Sequence, residues 1–349
     1  MYIAIIVTSY NNAESISDCL NSIKLFTKRL QKFDTRIILV DDASTDNTPE
    51  ILVEFSREVA LTYFKKYKTN KGVSRSRNYG ISKSLDADYT MFVDGDDEIN
   101  LKLADYLNKS KLGNDLYTFD FSIVGNKKEI QHNHQETGIV FNDKSISEYL
   151  MSYLITPNRK SMFVACWAKL YKTKILKNNV KLRFKEEMKV NEDALFVFSF
   201  VRKSKIIEYV NIPAYKYNDN SKLTCRSSFA IDSDVIKFFS IILALRQLRF
   251  YLIEKNQNVD YVNSRIFHCI AAYTCIYSNR AWVRVSSFSE FLTLFYDLKK
   301  IYKKPIIKKS LKLYDVNKAK GDKFLSFFLK REFFLTAAII SFIQSLKRY

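Results

Sequence analysis

Three aspartates directly follow a short apolar run, and this junction limits what the chain can fold into more than any other feature. The run, Tyr89–Val93, is β-branched and aromatic and ends in a turn, so it is predicted to be a buried strand. Asp94, Asp96 and Asp97 come next, and like charges this close repel one another. A divalent cation such as Mg²⁺ or Mn²⁺ would relieve the repulsion, because hard ions bind carboxylate oxygens and leave positions open for phosphate. The alternative is a solvated acidic turn.

Two more predicted strands end in polar clusters. Arg36–Val40 runs into Asp41–Asp46, and Tyr2–Val7 runs into Thr8–Asn12. A helix is predicted after each cluster, so strands and helices alternate near the start of the chain, which indicates a parallel sheet with right-handed crossovers. Because ligands bind at the carboxyl ends of such strands, we expect the three clusters to meet in one crevice.

The crevice has no glycine-rich phosphate loop in its sequence. No Gly-x-Gly-x-x-Gly follows the first strand, and the whole chain has 7 glycines. Backbone amides are therefore not expected to hold a pyrophosphate as they do in dinucleotide-binding and P-loop sites. A phosphate-bearing ligand would need a metal between it and the aspartates. This pattern favours metal-dependent nucleotide chemistry over nicotinamide chemistry.

Cysteine usage and the N-terminal sequence favour a cytoplasmic protein. The 5 cysteines are scattered without a Cys-x-x-Cys pair, as in a reducing compartment. The first residues already read as a core strand rather than a signal peptide. No apolar window reaches the roughly 18 residues of a membrane span, so none is predicted.

Positive charge is concentrated in the later part of the chain. Residues 1–120 contain 16 Lys and Arg against 18 Asp and Glu, a net charge of −2, which leaves 40 against 19, or +21, for residues 121–349. A charge asymmetry of this kind suggests an anionic partner surface, either a membrane or a nucleic acid. The basic part lacks a recognised module with interleaved stacking aromatics, so nucleic acid is the weaker interpretation.

The chain from about Phe229 onward has the apolar periodicity of helices. Helices are predicted over 231–253, 261–277, 288–301 and 323–346. A lysine cluster lies between the last two and consists of Lys299, Lys300, Lys303, Lys304, Lys308, Lys309 and Lys312. The final predicted helix is rich in phenylalanine and isoleucine and has cationic flanks. It fits a helix lying in a membrane interface, and it equally fits a core helix of a small basic bundle.

Seven segments of the chain carry a family resemblance. They are Ile5–Asn11, Val40–Asp46, Asn70–Gly80, Phe92–Asp97, Cys166–Tyr171, Phe184 with Glu192–Phe196, and Tyr215–Tyr217 with Ser221 and Thr224. In order and spacing they resemble the motifs of family 2 glycosyltransferases, inverting enzymes with the GT-A fold. The likeness covers roughly residues 1–225. It includes a Val-Asp-Asp-x-Ser-x-Asp segment, a DXD metal motif and a Trp-x-Lys-Leu segment.

The chain departs from the family pattern in three places. Ala43 stands where the family usually has glycine, and Ser76 stands where it usually has alanine. The histidine with which some members complete the metal site is missing after Tyr215–Tyr217. Asn218, Asp219, Asn220 or a water molecule would have to replace it.

The resemblance implies a fold class, two domains and a ligand set. The fold is α/β, with a GT-A domain of mostly parallel, Rossmann-like sheet at 1–225 and a smaller basic helical region at 226–349. The implied donor is a UDP-sugar, bound with Mn²⁺ or Mg²⁺. The implied metal ligands are Asp96 with Asp94 or Asp97. The implied nucleotide-sugar-binding residues are Thr8, Tyr10, Asp42, Asn70, Arg77, Asp94, Trp167 and Lys169.

The implied roles agree with the chemistry of these side chains. Tyr10 can stack on a uracil ring, and Asp42 can accept the ring N–H because its carboxylate only accepts hydrogen bonds. Arg77 either neutralises charge on the nucleotide or braces the aspartates. Trp167 and Lys169 would line the sugar or acceptor side.

The resemblance implies that Asp193, next to Glu192, is the base that takes the proton of the acceptor hydroxyl. Acidic residues are also common at helix N-termini for reasons unrelated to catalysis. The position of the pair after Phe184 in the family pattern favours the catalytic interpretation.

The expected protein is an inverting UDP-sugar transferase at the inner face of the cell membrane. It would act on a glycan or lipid-linked acceptor in the synthesis of capsule, lipopolysaccharide or teichoic-acid-type polymers. A homo-oligomer is left open. The alternatives are a sugar-1-phosphate nucleotidyltransferase, which needs a glycine-rich loop near its N-terminus, and a basic nucleic-acid-binding protein.

Overall fold

The computed structural model describes residues 1–346 except 126–128, 135–136, 158, 189, 219–230, 256, 283–284, 286 and 320–322, and it does not describe the side chains of 231–239, 280, 318–319 and 344–346. The predicted domain boundary at 225/226, the alternative metal ligands Asp219 and Asn220, and the motif residues Ser221 and Thr224 lie outside the described residues.

The described residues form ten strands and fourteen helices. The strands are β1 (Tyr2–Ser9), β2 (Asp34–Asp41), β3 (Thr62–Lys66), β4 (Tyr89–Asp94), β5 (Glu98–Ile99), β6 (Leu116–Val124), β7 (Glu129–His132), β8 (Ile139–Phe141), β9 (Lys169–Lys172) and β10 (Ile207–Asn218). The helices are α1 (Ile16–Arg29), α2 (Thr48–Glu58), α3 (Val73–Ser84), α4 (Lys102–Lys109), α5 (Asp143–Ile155), α6 (Thr173–Asn178), α7 (Glu192–Val201), α8 (Ile231–Glu254), α9 (Val259–Ala281), α10 (Phe288–Tyr302), α11 (Pro305–Leu313), α12 (Val316–Ala319), α13 (Lys323–Lys330) and α14 (Phe334–Leu346).

The chain divides into two compact units. The first consists of Met1–Asp143 and Met162–Thr224, and the second of Lys144–Ser161 and Cys225–Tyr349. The second unit therefore takes most of α5 from the middle of the sequence, an assignment that the local pattern of residues 144–161 does not indicate. A helix can pack on whichever apolar surface is available, and its own sequence does not say which one.

The first unit is built on one mixed sheet. Its strand order is β3-β2-β1-β4-β9-β6-β10-β5, with β7 beside β6 and β8 beside β10. The pairs β3-β2, β2-β1, β1-β4 and β6-β10 are parallel, whereas β9 is antiparallel to both of its neighbours. The predicted α/β class with a mostly parallel sheet is confirmed.

β1 lies in the interior of the sheet, between β2 and β4, and is apolar on both faces. Ile3 to Val7 are at most 1% exposed, which is typical of a parallel strand covered by helices on either side. α3 packs directly on β1 through Gly80, where an added Cβ would lie 2.3 Å from Cγ2 of Ile6. Only glycine permits such a close approach.

The register of β1 brings the three polar clusters together. Thr8 pairs with Val40 of β2 on one side and with Asp94 of β4 on the other. Gly95 then turns across the end of β1, where an added Cβ would lie 3.0 Å from the Thr8 carbonyl oxygen. The acidic turn therefore lies against the end of β1, as the sequence predicted.

The last strand of the sheet extends beside the acidic turn. β10 runs parallel to β6, and its residues Tyr215 and Lys216 pair with Ile99 and Glu98 of β5. The C-terminal end of β10 is thus held next to the residues that follow β4.

The second unit is a helical assembly around α9. Hydrogen bonds join Tyr153 to Tyr273 (2.8 Å) and Tyr302 to Ser278 (2.7 Å), and Trp282 is among its largest buried side chains. None of the helices in the described part of the chain is long and apolar enough to cross a membrane.

The prediction of a single helix over 323–346 is wrong. The structure has two helices there, α13 and α14, separated by a turn in which Glu332 adopts a left-handed conformation with φ of 61°. A left-handed residue ends a helix because it reverses the direction of the chain. Glutamate is a good helix former, so its type gives no warning of this turn.

Replacing Ala43 by glycine should stabilise the protein. Ala43 has a φ of 66°, a left-handed conformation that costs a residue with a Cβ about 1–2 kcal/mol. Glycine loses part of this gain through the greater freedom of the unfolded chain, so we expect Ala43→Gly to raise the free energy of unfolding by about 0.5–1 kcal/mol in urea titrations. Ala104→Gly, inside α4, is the matched control and should lower it by at least about 1 kcal/mol. Destabilisation by Ala43→Gly would contradict the assigned backbone conformation.

Candidate active site

The loops that follow β1 and β2 are tied together by side-chain hydrogen bonds. The backbone N–H of Asn11 donates to Oγ of Ser44 (2.8 Å), and the N–H of Thr45 donates to Oδ1 of Asn11 (2.9 Å). Asp41 is fully buried and accepts from the N–H and the hydroxyl of Ser44. Tyr10, partly exposed, therefore projects from a loop whose backbone is fixed on both sides.

Asp42 anchors the loop that leads into α3. Its two carboxylate oxygens accept the backbone N–H groups of Lys71 and Gly72, each at 2.7 Å, and Asn70 is exposed just before them. Burial raises the pKa of Asp42, and the two N–H donors oppose the rise. The family resemblance implies that the Asp42 carboxylate accepts the ring N–H of uracil. Each oxygen retains a second lone pair for such a bond.

Arg77 is the centre of the site. Its side chain is 4% exposed and contacts three carboxylates: Nη2 donates to Asp94 Oδ1 at 2.8 Å, and Nη1 donates to Glu192 Oε1 at 3.2 Å and to Asp193 Oδ1. Its guanidinium also lies over the Phe184 ring, 5.2 Å from the centroid. Burial acts to lower the pKa of Arg77, but the carboxylates, Asp193 first, hold it well above the usual value. The contacts of Arg77 with Asp94 and Asp193 agree with the bracing role, and a role in neutralising charge on a bound nucleotide stays a prediction.

The two acidic residues at the start of α7 have different environments. Glu192 is 11% exposed, and burial together with the charge of Asp193 raises its pKa to about 7, against the opposing effect of Arg77. Asp193 is 21% exposed, and its Oδ2 accepts the backbone N–H of Cys166 at 3.4 Å. Asp193 is thus the more accessible of the two, with its carboxylate held from two sides.

Within the acidic turn, Asp97 is the buried one of the three aspartates. It is 1% exposed, and its oxygens accept from the Tyr215 hydroxyl and the Asn218 backbone N–H, both at 2.8 Å. The Tyr215 hydroxyl also accepts the N–H of Asp94 at 3.1 Å. Burial, followed by the charges of Asp94 and Asp96, raises the pKa of Asp97 well above its usual range. Its geometry is that of a residue that orders the turn.

Asp94 and Asp96 remain as partly exposed carboxylates at the strand end. Both hydrogen bonds to the Asp94 side chain, from Thr8 Oγ1 at 3.5 Å and from Arg77, use Oδ1. The described residues contain no group of three or more His, Cys, Asp or Glu arranged to hold a metal. A pair of carboxylates nevertheless suits Mg²⁺, which is commonly bound by one or two carboxylates together with substrate phosphates. The donor set therefore fits such a metal ion.

An aromatic wall stands beside the acidic turn. Trp167 stacks on Tyr215 with a centroid distance of 4.9 Å and an angle of 6°, and also on Tyr217 at 5.7 Å, while its edge meets Phe121. Lys169 is 3% exposed and donates to the Trp167 carbonyl oxygen at 3.4 Å, and burial lowers its pKa to about 8.

Three contributors to this site were given no role from the sequence. They are Tyr215, which bridges the acidic turn to β10, Phe184, which lies under Arg77, and the Cys166 N–H, which contacts Asp193. All three positions fall within the segments that carry the family resemblance, and that signal was available.

The family model of glycosyl transferase family 2 matches residues 4–179. The chain belongs to this family. The match covers the three strand ends, the acidic turn, Arg77 and the Trp167–Lys169 segment.

Curated relatives agree with this membership. The chain is 25% identical to the Staphylococcus aureus poly(ribitol-phosphate) beta-N-acetylglucosaminyltransferase TarS over 225 residues, which are 62% of this chain and 35% of TarS. It is 30% identical to the S. aureus poly(ribitol-phosphate) beta-N-acetylglucosaminyltransferase TarP over 210 residues, 58% of each chain. It is 27% identical to the cholesterol galactosyltransferase of Borreliella burgdorferi over 237 residues, 65% of this chain and 62% of the relative. The aligned region spans about a third to three fifths of the length of these relatives.

Solved structures confirm the GT-A fold. The crystal structure of S. aureus TarS 1–349 in complex with UDP-GlcNAc aligns with 100% of this chain and 92% of that chain, at a TM-score of 0.66 and 17% identity. The complex of the same protein with UDP gives a TM-score of 0.63 at 18% identity.

The raised pKa of Glu192 predicts a pH-dependent stability. Because the pKa is near 7 in the folded protein and near 4.5 ordinarily, the stabilisation is complete below about pH 4.5 and is lost as the pH rises through 7. Glu192→Gln lacks this titration, so the free energy of unfolding of the wild type relative to the variant should fall by on the order of 1–3 kcal/mol between pH 4.5 and 8. Urea titrations across this range measure it.

Glu54→Gln, on an exposed position of α2, is the control for this experiment. Its difference from the wild type should stay constant across the pH range. A constant difference for Glu192→Gln as well would show that Glu192 titrates normally.

Proposed function

We propose that the chain is a metal-dependent inverting glycosyltransferase that moves a sugar from a UDP-sugar to a hydroxyl group of a glycan or lipid-linked acceptor in surface-polysaccharide synthesis. The observation that carries the proposal is the bracing of Asp94 and Asp193 by Arg77. One guanidinium fixes the separation between a carboxylate suited to the donor's metal and a carboxylate suited to the acceptor's proton. Such fixed geometry is what transfer between two bound substrates requires.

The relatives support the donor and the polymer class. TarS and TarP are named as N-acetylglucosaminyltransferases acting on poly(ribitol-phosphate), and TarS has been solved with UDP and with UDP-GlcNAc. We infer a UDP-sugar donor of the hexose or N-acetylhexosamine type and an acceptor of the capsule, lipopolysaccharide or teichoic-acid type. Tyr10 and Asp42, at the ends of β1 and β2, are suited to stack on the uracil and to accept its N–H. Thr8 lies two residues before Tyr10 in the sequence. Asn70 directly precedes Lys71, whose backbone N–H donates to Asp42.

A divalent cation, Mn²⁺ or Mg²⁺, held by Asp94 and Asp96, would supply Lewis-acid stabilisation of the departing diphosphate. Asp97 orders the turn that presents these two carboxylates, through Tyr215 and Asn218.

Asp193 takes the proton of the acceptor hydroxyl. Its Oδ1 is fixed by Arg77, whereas its Oδ2 accepts the Cys166 N–H at the longer distance of 3.4 Å, so we assign Oδ2 as the oxygen that receives the proton. Asp193 is preferred over Glu192 because it is the more exposed of the two side chains. Attack from the face opposite the leaving UDP inverts the anomeric centre.

Trp167 and Lys169 form the side of the site where the sugar and the acceptor would bind. The stack of Trp167 on Tyr215 and Tyr217 fixes its ring as a wall, and apolar ring faces suit sugar rings. Lys169 helps to hold Trp167 in place, because its ammonium group donates a hydrogen bond to the Trp167 carbonyl oxygen. The proposed location is the cytoplasm at the inner face of the cell membrane, where nucleotide sugars and lipid-linked acceptors can meet.

Activity should require a divalent cation and Asp96. We expect Asp96→Ala to abolish transfer while the circular dichroism spectrum and the unfolding midpoint stay close to the wild type, because the side chain is partly exposed. Asp105→Ala, in the exposed ion pair with Arg29, is the control and should retain activity. UDP release from UDP-sugars with added Mn²⁺, Mg²⁺ or EDTA measures the effect. Full turnover in excess EDTA would refute metal dependence.

Asp193→Asn should separate binding from chemistry. We expect the transfer rate to fall by roughly 10²–10⁴-fold, the range for loss of a general base, while calorimetry shows donor affinity within a few fold of the wild type. Glu192→Gln is the comparison variant and should lower the rate much less, since Glu192 is the more buried acid. Loss of donor binding together with normal residual transfer would contradict the assignment of Asp193 as the base.

A further inference from the structure

The helical unit exposes an apolar face on α13, on α14 and on the turn between them. The residues of this hairpin face, with their exposed fractions, are Phe324 (68%), Phe327 (46%), Phe333 (54%), Leu335 (54%), Ile339 (44%) and Ile343 (47%). On α14 the exposed residues recur at every fourth position, so they form one stripe along the helix. Exposed apolar side chains grouped on one part of a protein are typical of an interaction site.

The opposite side of α14 is packed into the unit. Phe334, Ala337, Ala338 and Ser341 are at most 7% exposed, and the Ser341 hydroxyl donates to Oδ1 of Asn279 on α9 at 2.9 Å. The two interpretations of the final helix from its sequence therefore describe its two faces. One face is core, and the other is presented outward on a helix that is firmly attached.

The lysine cluster borders the hairpin face. Lys308 on α11 forms a 2.8 Å ion pair with Glu332 in the turn between α13 and α14. The bond to Lys308, and then the charges of Lys312 and Lys303, lower the pKa of Glu332. These contacts place cationic side chains along the edge of the apolar face.

Most lysines of the cluster are exposed and available. Lys303, Lys304 and Lys312 are exposed, and no carboxylate of the described residues lies within ion-pair distance of them. Two other lysines of the cluster form ion pairs: Lys300 with Asp297, and Lys308 with Glu332. Arg331 adds a further cation, with its guanidinium 3.7 Å from the centroid of the Phe327 ring.

We propose that the hairpin face and the lysine cluster together form a docking surface for an anionic lipid bilayer. Aromatic and aliphatic side chains on a helix surface, flanked by unpaired cations, suit the boundary between acyl chains and anionic headgroups. A water-soluble protein partner would have to bury the apolar stripe and also supply carboxylates along the lysine edge. The anionic leaflet of a bilayer offers an apolar interior for the stripe and negatively charged headgroups for the lysines. The contact is peripheral, and it stands on these residues without the catalytic proposal.

Sedimentation with vesicles tests the surface. The whole chain is mixed with phosphatidylcholine vesicles or with phosphatidylcholine vesicles containing phosphatidylglycerol, at low and at high salt. We expect pelleting with the anionic vesicles only, partly retained at high salt because apolar insertion is not screened. Absence of pelleting with anionic vesicles at low salt would overturn the proposal.

Two variants separate the contributions. Lys303→Gln, Lys304→Gln and Lys312→Gln together should weaken low-salt binding at least tenfold, and Ile339→Gln with Ile343→Gln should remove the salt-resistant fraction. The matched controls in the first unit are Lys32→Gln with Lys102→Gln and Lys109→Gln, and Ile130→Gln with Val140→Gln, all at exposed positions. The controls should bind as the wild type does.

Circular dichroism and analytical ultracentrifugation complete the test. All changed positions are exposed, so the variants should keep the wild-type spectrum. If the wild type is a dimer that Ile339→Gln with Ile343→Gln dissociates, while vesicle binding is unaffected, the face joins two copies of the chain and the bilayer proposal fails.

Discussion

The site depends on one buried guanidinium. Arg77 is almost inaccessible to solvent and compensates carboxylates from β4 and from the start of α7. Removing it would leave several negative charges close together with little solvent, and breaking a buried pair by removing one partner typically costs about 3–5 kcal/mol. Lysine could not replace Arg77. The guanidinium has several N–H donors in fixed directions and contacts three carboxylates, whereas the ammonium group of lysine is a compact point charge. The same contacts that stabilise the fold thus set the distance between Asp94 and Asp193.

A second constraint fixes the acidic turn from the opposite side. The Tyr215 hydroxyl accepts from the backbone of Asp94 and donates to Asp97, so the end of β10 and the end of β4 share one hydrogen-bonded joint. Trp167 stacks on the same tyrosine ring. A shift of the aromatic wall would therefore also move the acidic turn. The proposed substrate side and the proposed metal side of the candidate site are thus connected through Tyr215.

The sequence was sufficient for features that depend on neighbouring residues. The strands, their polar ends and their convergence follow from local patterns and from the rule for parallel sheets, and the family motifs added Arg77, Trp167 and Asp193. The partners of Arg77 could not be predicted in this way, since Glu192 and Asp193 lie 115 and 116 residues away along the chain. The inward direction of Asp97 was equally hidden, because three aspartates in one turn look alike until Tyr215 and Asn218 select one of them. The break at Glu332 depends on how α13 and α14 pack.

The distribution of charge agrees with the different tasks that we propose for the two units. In the first unit the positive charge of Arg77 is used within the site, where carboxylates surround it. In the second unit Lys303, Lys304 and Lys312 face solvent without carboxylates of the described residues within ion-pair distance. These lysines repel one another, which destabilises the unit. They are not needed for its packing, because α11 packs through Ile307 and Leu311. A cost of this kind is offset when an external anionic surface supplies the missing negative charge. The exposed stripe on α14, next to that charge, points to the same partner.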